Sequence, residues 1–268
     1  MSLKIAVMVK VVPKPEEVEL DEETMTIDRE DADSQLNPAD KNAVELALEL
    51  KDAAEDAGEE AEVIAVSMGP PFVEEYLQDV VAMGADDAIL LSDMAFAGAD
   101  TYPTSRVLAA GVEKLGDVDL ILCGEESSDS STGQVPPGIA EWLDTNQVTY
   151  VADAHVEDDH LIATRTVSGG EETVKVPLPV MVSVEYGVNE PRFPDFKRKR
   201  WAKKEWELTV WDHEDLDLPE EELGMEGSYT AVEGLEKISG PERKQEWIEG
   251  SPDEQAAEVA AVIEEKLG

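Results

Sequence analysis

The first half of the chain alternates apolar, strand-like runs with helical stretches, and this alternation limits the fold more than any other feature. Four strands are predicted, at Ile5–Val11, Val63–Ser67, Ala88–Leu91 and Leu120–Cys123. Four helices are predicted, at Ala39–Ala57, Phe72–Met83, Pro103–Leu115 and Val135–Leu143. Since such strands are joined by crossover connections, we expect an α/β fold whose mainly parallel sheet has helices on both faces.

The second half has a different pattern, because strand-like runs follow one another directly. They lie at Val148–Val156, His160–Val167, Glu172–Val176 and Val180–Tyr186, with turn signals between them. These runs predict an antiparallel extension joined to the sheet. Further along, Asp212–Ser251 is acidic with little periodicity, and Pro252–Leu267 predicts a last helix with Ser251 as its N-cap.

The charge of the chain is extreme, with 63 acidic and 21 basic residues and a net charge of −42. Self-repulsion of this size destabilises a compact protein in dilute buffer, whereas molar salt shortens the Debye length to roughly 3 Å and screens it. We therefore predict a halophilic protein whose acidic residues lie on solvated faces, among them the outer side of the first long helix at Glu45, Glu49, Asp52 and Glu55. An acidic disordered tail is the alternative, but the charge is not confined to one block. Such a charge argues against nucleic acid as a partner.

Two short features of the sequence bear on the cellular compartment and on the role of the cysteine. No apolar run approaches the ~20 residues that a membrane-spanning helix needs, and the start MSLKIAVMVK lacks the long apolar region of a signal peptide. A cytoplasmic location is the expectation. The one cysteine, Cys123, lies at the end of a predicted buried strand and is expected to be an inert core residue.

The junction after the fourth predicted strand is the main candidate for a binding site. The apolar run Val118–Cys123 ends at Gly124, small, polar and acidic residues fill Glu125–Gln134, and a helix with proline in its first turn follows. In an open parallel sheet, free backbone N–H groups and a helix dipole converge at such a junction. The sequence therefore predicts a nucleotide-binding loop here.

Eight strings occur along the chain in a fixed order. They are VKVVP at 9–13, LNPADKNAVELALELK at 36–51, AVSMGPP at 65–71, AMGADDAILLSD at 82–93, AGADTYPTSRVLAA at 97–110, the loop described above, GGEETVKVPLPVMVSV at 169–184 and NEPRF at 189–193. This is the order found in electron transfer flavoprotein beta subunits, and the chain resembles that family over roughly residues 4–204. The segment AGADTYPTS is typical of the nitrogen-fixation-associated and bifurcating branch of the family.

The resemblance implies a Rossmann-like fold of the adenine nucleotide alpha hydrolase type, with a nucleotide-binding beta domain over residues 1–204. It also implies a C-terminal arm and helix over 205–268 that pack on an alpha subunit; a surface segment of the same domain is the alternative. The alpha subunit of such a pair carries FAD, and the pair passes electrons from acyl-CoA or other dehydrogenases to a membrane quinone oxidoreductase. The beta subunit holds AMP, or a second FAD in the branch that oxidises NADH by bifurcation. No nucleophile–base pair stands out, which fits an electron carrier rather than a stand-alone enzyme.

The resemblance also implies which residues line the cofactor site: Met8, Asn37, Pro38, Asp40, Met68, Asp100, Thr101, Thr104, Gly124, Asp129, Ser130, Ser131, Thr132, Gly133, Gln134 and Val135. Asn37 either bonds an adenine or caps the helix after it, and Asp100 or Thr101 either lies near a second flavin or caps its helix. Backbone N–H groups of residues 132–135 are expected to face a phosphate, and Asp129 is expected to order the loop. The loop departs from the family at Glu125 and Glu126, where a basic residue is usual, and this puts AMP affinity in doubt.

A cluster of basic residues follows NEPR, and its positive charge is opposite to the negative net charge of the whole molecule. By the resemblance it is a loop that docks dehydrogenases, with Phe196 as an apolar anchor and with flanking cations at Arg192, Lys197, Lys199, Lys203 and Lys204. The alternative is a solvated strand whose side chains cover apolar surface. Trp201 and Trp206 are candidates for packing on the alpha subunit.

Two other motifs carry weaker signals. Ser168–Thr173 resembles a pyrophosphate loop, but its place between two strand-like runs predicts a hairpin turn. His155, Asp158, Asp159 and His160 straddle a turn without recognised ligand spacing, so no metal site is predicted. A universal-stress-type ATP-binding module of related fold is the remaining alternative for the whole chain.

Overall fold

A computed structural model describes residues 2–14, 20–21, 26–27, 33–231 and 247–267. The strands are β1 (Ser2–Met8), β2 (Val11–Pro13), β3 (Leu20–Asp21), β4 (Thr26–Ile27), β5 (Ser34–Leu36), β6 (Glu60–Met68), β7 (Asp87–Leu91), β8 (Leu120–Gly124), β9 (Asn146–Glu157), β10 (His160–Val167), β11 (Gly170–Pro177), β12 (Val180–Val184) and β13 (Thr209–Trp211). The α-helices are α1 (Pro38–Asp56), α2 (Glu74–Met83), α3 (Thr101–Leu115), α4 (Val135–Trp142), α5 (Phe196–Ala202) and α6 (Pro252–Leu267).

The central sheet has nine strands in the order β11-β10-β9-β12-β8-β1-β6-β7-β13. In this order, every neighbouring pair from β9 across β12, β8, β1, β6 and β7 to β13 is parallel, and helices pack on both faces of the sheet. The predicted α/β fold is therefore confirmed. The antiparallel extension consists of β9, β10 and β11. The expectation that Val180–Tyr186 belongs to it was wrong, because β12 lies between β8 and β9 and is parallel to both.

The chain reverses its direction of progress across the sheet beside β1. From β1 it moves outward through β6 to β7, then crosses back to β8 on the other side of β1. The loops that leave β1 and β8 therefore diverge to opposite faces and leave a crevice between the carboxyl ends of these two strands. Ligands of open α/β sheets bind at such a switch point.

Side chains of the parallel strands alternate between two apolar layers. In β1, Ile5 and Val7 face the layer covered by α1 and α2, while Ala6 and Met8 face the layer covered by α3 and α4. Both layers are almost fully shielded from water, which explains why these strands are continuous apolar runs.

The first long helix corrects one expectation. Glu45 was expected on the solvent side of α1, but its residue surface is only 5% exposed. Its carboxylate pairs with Arg192, which lies 147 residues further along the chain. A burial that depends on so distant a partner leaves no trace in local periodicity.

The acidic region after residue 204 begins inside the main fold. Strand β13 pairs in parallel with β7, and Leu216 and Leu223 are buried against the layer of α3 and α4. The described residues up to 231 lie in the first compact unit, and α6 lies in the second. The domain boundary expected at residue 204 stays a prediction. Whether this region packs on an alpha subunit stays a prediction.

Several local expectations can be compared with the structure directly. Ser251 and Glu254 form a reciprocal capping box at the start of α6, so the predicted N-cap is confirmed. The Ser168–Thr173 segment lies in the antiparallel hairpin of β10 and β11, as expected. Among the described residues, no helix combines the length and the apolar character that a membrane crossing requires, and no group of His, Cys, Asp and Glu side chains has a metal-binding arrangement.

Candidate functional site

Asp40 connects the two strands that border the switch point. It lies in the first turn of α1, is 6% exposed, and accepts hydrogen bonds from the backbone N–H of Lys10 at 2.7 Å and of Gly124 at 3.0 Å. Burial is the largest influence on this carboxyl group and raises its pKa to about 6, although the hydrogen bonds act in the opposite direction. Asp40 therefore fixes the exits of β1 and β8 relative to each other.

Gly124 permits this close approach of α1 to β8. A Cβ atom at this position would lie 2.6 Å from the Cβ atom of Ala39 and 2.6 Å from Oδ1 of Asp40. Any larger residue would push the start of α1 away and break the hydrogen bond to Asp40. The glycine that ends the strand is thus required for the architecture of the junction.

Asn37 holds the loop rather than the helix. It occupies the N-cap position of α1, before Pro38, but its side chain makes no capping hydrogen bond. Its Nδ2 donates to the carbonyl of Glu126 at 2.9 Å, and its Oδ1 accepts from the N–H of Ser128 at 3.0 Å. Capping by the side chain is therefore excluded as the role of Asn37, which is 1% exposed and orders the first half of the loop.

Lys10 is a part of the site that sequence reasoning missed. Its Nζ lies 2.7 Å from Oδ1 of Asp129 and 3.3 Å from the hydroxyl oxygens of both Ser127 and Ser130. Burial alone would raise the pKa of Asp129, but the hydrogen bond and charge of Lys10 outweigh it and lower that pKa. Asp129 also bonds Ser130, in accordance with its expected ordering role.

The second half of the loop exposes backbone donors. Ser131 and Gly133 have φ values of 47° and 59°, which turn the chain in the left-handed sense before α4. Within the described residues, the backbone N–H groups of Thr132, Gly133 and Val135 donate to no other group, and that of Gln134 reaches only the hydroxyl of Thr132 at 3.5 Å. These are the four N–H groups that the sequence analysis assigned to a phosphate.

The unusual Glu125 has a local structural role. Its Oε1 accepts a hydrogen bond from the backbone N–H of Tyr186 at 3.2 Å, and its own N–H donates to the carbonyl of Val184 at 2.9 Å. Burial raises the pKa of Glu125, and Glu185 and Glu126 act in the same direction. Glu125 thus joins the loop to the end of β12.

The start of α3 makes two further connections. Asp100 caps the helix by accepting from the N–H of Tyr102 at 2.9 Å, so the capping interpretation is confirmed for this residue. Its other oxygen accepts from the N–H and the hydroxyl of Thr230 at 2.9 and 2.8 Å. Thr101 instead donates its hydroxyl to Oε1 of Gln134 at 2.9 Å and so joins α3 to the loop, while the N–H of Thr104 bonds the Asp100 carbonyl.

The apolar floor of the crevice comes from strand ends. Met8 ends β1 and is buried, and Met68 ends β6 and is partly buried. The hydroxyl of Ser67, next to Met68, is buried without a hydrogen-bond partner among the described residues. Cys123 is free and buried as expected, and burial raises the pKa of its thiol well above the usual value.

The expected docking segment is anchored at its base. Arg192 is held by Glu45 and Asp52, with 2.9 Å from Nη2 to each carboxylate. Asn42 of α1 donates to the carbonyl and the side-chain oxygen of Asn189 at 2.9 and 2.7 Å. Arg192 thus uses its guanidinium group to fix the segment to α1, and a cation that docks a partner would need that same group to be free.

The basic cluster forms helix α5 rather than the strand considered as an alternative. Asp195 caps the helix by accepting from the N–H groups of Lys197 and Arg198. Arg198 donates to the carbonyls at the end of α2, and Lys199 pairs with Asp79 at 2.6 Å. The interpretation of Trp206 as a contact for the alpha subunit is corrected, since its indole packs on the chain's own core and bonds Asp87.

Two aromatic side chains of this segment stand in solvent. Phe193 is 94% exposed and Phe196 is 81% exposed. Trp201 is 39% exposed, and no ion pair joins Lys197, Lys203 or Lys204 to another described residue. The anchored base and the exposed tip together form a surface of aromatic rings flanked by cations.

Parallel strands, helices on both faces and a tied loop at the switch point define a protein of the Rossmann-like α/β class. Residues 24–216 match the family described as the Electron transfer flavoprotein domain. The chain belongs to the electron transfer flavoprotein beta subunit family.

Individual relatives are similar over most of their length. The chain is 43% identical over 230 residues to the caffeyl-CoA reductase-Etf complex subunit CarD of Acetobacterium woodii, covering 86% of each protein. It is 41% identical over 230 residues to electron transfer flavoprotein subunit beta of Thermoanaerobacterium thermosaccharolyticum, again 86% of each. It is 37% identical over 233 residues to Protein FixA of Azotobacter vinelandii, covering 84% of this chain and 81% of FixA.

Proposed function

We propose that this chain is the beta subunit of a heterodimeric electron transfer flavoprotein and that it binds AMP at the Gly124–Val135 loop. Its alpha subunit carries FAD, and the pair passes electrons from acyl-CoA or other dehydrogenases to a membrane quinone oxidoreductase. FAD supplies the electron-carrying chemistry. The residues of this chain bind the nucleotide and present a docking surface, so the chain is a carrier subunit rather than a stand-alone enzyme.

The observation that carries the proposal is a loop fixed in advance at the switch point. Asp40 joins β1 to β8, Asn37 orders the first half of the loop, and the N–H groups of residues 132–135 remain available. Donors that need no rearrangement suit an anionic phosphate, because binding then costs little ordering entropy.

The remaining lining residues fit an adenine nucleotide. Met8 and Met68, which face the same layer of the sheet, offer apolar surface to a ring. Gly133, with its positive φ and no side chain, allows the backbone to approach a phosphate closely.

The docking surface supports the second half of the proposal. Phe196 is exposed at the first residue of α5, with Lys197 next to it in sequence and with Lys203 and Lys204 just beyond the end of the same helix, in an otherwise acidic protein. An aromatic anchor with complementary charge around it is a common form of protein interface.

A second FAD in place of AMP is the alternative from the enzyme class, with NADH oxidation by bifurcation. The hydrogen bond between Thr101 and Gln134 favours it, because it brings the AGADTYPTS segment to the nucleotide loop. The relatives CarD and FixA point in the same direction. Both oxygens of Asp100 are already occupied within the chain, so this residue does not support flavin contact.

Co-expression with an alpha subunit and identification of the bound nucleotides test the proposal. One FAD and one AMP per heterodimer is the expected result, and two FAD would replace the carrier role with the bifurcating one. A complex without flavin would contradict both.

The proposal includes a cytoplasmic, salt-rich setting. It is motivated by the net charge of −42, which disfavours the compact state most at low ionic strength. A free energy of unfolding that rises steadily with KCl concentration would support salt adaptation, whereas one that is independent of salt would contradict it.

A further inference from the structure

Lys10 fastens the nucleotide loop to the end of β1 with a single ammonium group. Its Nζ contacts Asp129 at 2.7 Å and the hydroxyl oxygens of Ser127 and Ser130 at 3.3 Å. The three acceptors lie within four consecutive residues of one loop. The contact with Asp129 is a short ion pair, whereas the two hydroxyl contacts are long, and each hydroxyl also has a partner inside the loop: Ser127 bonds Ser130, and Ser130 bonds Asp129. The ammonium group has three donors and needs one of them for Asp129, so the others can serve a ligand.

The main chain of Lys10 is fixed as well. Its N–H donates to Asp40 at 2.7 Å, and the other oxygen of Asp40 accepts from Gly124 at 3.0 Å. The ammonium group is therefore held relative to the strand that leads into the loop. Preorganisation of this kind is what gives a charged group its effect on a ligand.

Exposure differs sharply between the two members of the ion pair. The side chain of Asp129 is only 3% exposed, whereas that of Lys10 is 41% exposed. A ligand that approaches the loop thus meets the lysine side chain and not the carboxylate. This matters because the loop over residues 125–134 contains three acidic and no basic residues.

We propose that Lys10 is the phosphate-positioning residue of the nucleotide site, neutralising Asp129 and presenting its ammonium group to the phosphate of the bound nucleotide. The proposal rests on the proposed function, since it assumes that this loop binds an adenine nucleotide. It answers the doubt raised by Glu125 and Glu126: the cation absent from the loop is supplied by the neighbouring strand.

The test compares AMP with adenosine, which lacks the phosphate, by calorimetric titration of the nucleotide-free heterodimer at fixed salt. Lys10→Gln is expected to weaken AMP binding about tenfold or more and adenosine binding less than about twofold, as for loss of a charge-assisted hydrogen bond. Lys10→Arg retains the charge and is expected to restore most of the AMP affinity. The control is Lys4→Gln, which removes the same charge at the opposite end of β1 and should leave both affinities unchanged.

Asp129→Asn separates phosphate positioning from simple bracing of the loop. If Lys10 serves the phosphate, this variant keeps the ammonium group, so any loss of affinity from the looser loop is the same for AMP and for adenosine, in contrast to the AMP-selective loss in Lys10→Gln. If Lys10 only braces the loop, Asp129→Asn and Lys10→Gln weaken AMP equally, and the proposal is overturned. Thermal unfolding of each nucleotide-free variant shows whether it is folded. If Lys10→Gln does not fold, the AMP and adenosine affinities of Asp129→Asn and Lys10→Arg decide between phosphate positioning and bracing.

Failure of this inference differs from failure of the proposed function. A wild-type heterodimer that binds AMP, with a Lys10→Gln variant that binds it equally well, overturns only the role of Lys10. If FAD is the ligand, FAD against riboflavin replaces AMP against adenosine with the same expectation. A wild type that binds neither nucleotide removes the proposed function and this inference together.

Discussion

Asn37 and Asn42 lie near the start of the same helix, and each ties a different functional segment to it. Asn37 is 1% exposed and bonds the nucleotide loop, while Asn42 is 3% exposed and bonds the base of the docking segment at Gly187 and Asn189. The two segments then differ. In the loop, Lys10 holds the side chains of Ser127, Asp129 and Ser130, whereas the proposed docking segment carries its aromatic rings into solvent.

The difference shows that the same kind of side chain, a buried amide, can support two proposed kinds of recognition. A small anionic ligand needs donors that are already in place, and in the proposed nucleotide loop the first half is bonded to Asn37 and Lys10 while the N–H groups of residues 132–135 stay available. A protein partner needs apolar area that it can cover, so Phe193 and Phe196 are left outside on a fixed base. The same helix N-terminus can support both because its side chains leave in different directions.

The largest effect is expected on the loop side, from the pH dependence of Asp40. Its pKa rises from 3.8 to about 6 on folding, which corresponds to about 3 kcal/mol. The folded state holds this proton more tightly, so the contribution to stability is complete below pH 3.8 and is lost as the pH rises to about 6.

Urea unfolding of the wild type and of Asp40→Asn at about pH 4 and about pH 7 measures this contribution. The free-energy difference between the two proteins should change by about 2.4 kcal/mol between these pH values, with the wild type losing more as the pH rises. Because both proteins contain the same other carboxylates, subtracting the free energy of unfolding of the variant from that of the wild type cancels their titration. A difference independent of pH would mean that Asp40 is ionised with an ordinary pKa.

On the docking side, Arg192→Ala is expected to lower the free energy of unfolding by about 2 kcal/mol. The cause is the carboxylate of Glu45, whose side chain is 7% exposed and loses its partner. Glu45→Gln in the same background should recover part of the loss, because no buried charge then remains. Denaturant unfolding of the single and double variants forms a double-mutant cycle, and strict additivity would show that the pair is not coupled.

The comparison of the two asparagines is tested by Asn37→Ala and Asn42→Ala. Each removes a buried amide with several hydrogen bonds and should cost about 1.5 kcal/mol of stability. Their functional effects should cross: Asn37→Ala weakens nucleotide binding but spares dehydrogenase docking, and Asn42→Ala does the reverse. Each variant is the matched control of the other, and equal effects of both on both measurements would end the distinction.

The smallest effect on stability is expected for Phe196→Ala. Since the ring is 81% exposed, the free energy of unfolding should change by less than about 0.5 kcal/mol. The rate of electron transfer from a partner dehydrogenase at low concentration should nevertheless fall. Phe72→Ala is the control, because this ring is also exposed, at 55%, and lies outside the segment. Identical transfer rates for the wild type and Phe196→Ala would remove this ring from the interface.

The parallel sheet and the loop were predictable because their signals are local. Buried parallel strands are continuous apolar runs, and Gly124 followed by small polar residues marks a strand that ends at a loop. Capping residues such as Asp100 and Ser251 were also predictable, since their partners lie within a few positions.

The contacts that were missed join residues far apart in the chain. Lys10 looks like an ordinary strand-end cation until the fold brings residues 127–130 to it. Glu45 follows the spacing of a solvent-facing residue, and only Arg192 explains its burial. The parallel placement of β12 depends on the chain inserting three strands before it returns to β8. Periodicity carries no information on these pairings.

The buried thiol has a practical consequence for measuring distances and contacts in solution. Cys123 is the one cysteine of the chain, is shielded from solvent, and has a pKa well above the usual thiol value. Maleimide reagents attack thiolates at accessible positions, so the native protein should remain unlabelled. A cysteine introduced at Phe196 or in α6 would then accept a fluorophore or spin label at a single site, without any change to the native sequence elsewhere.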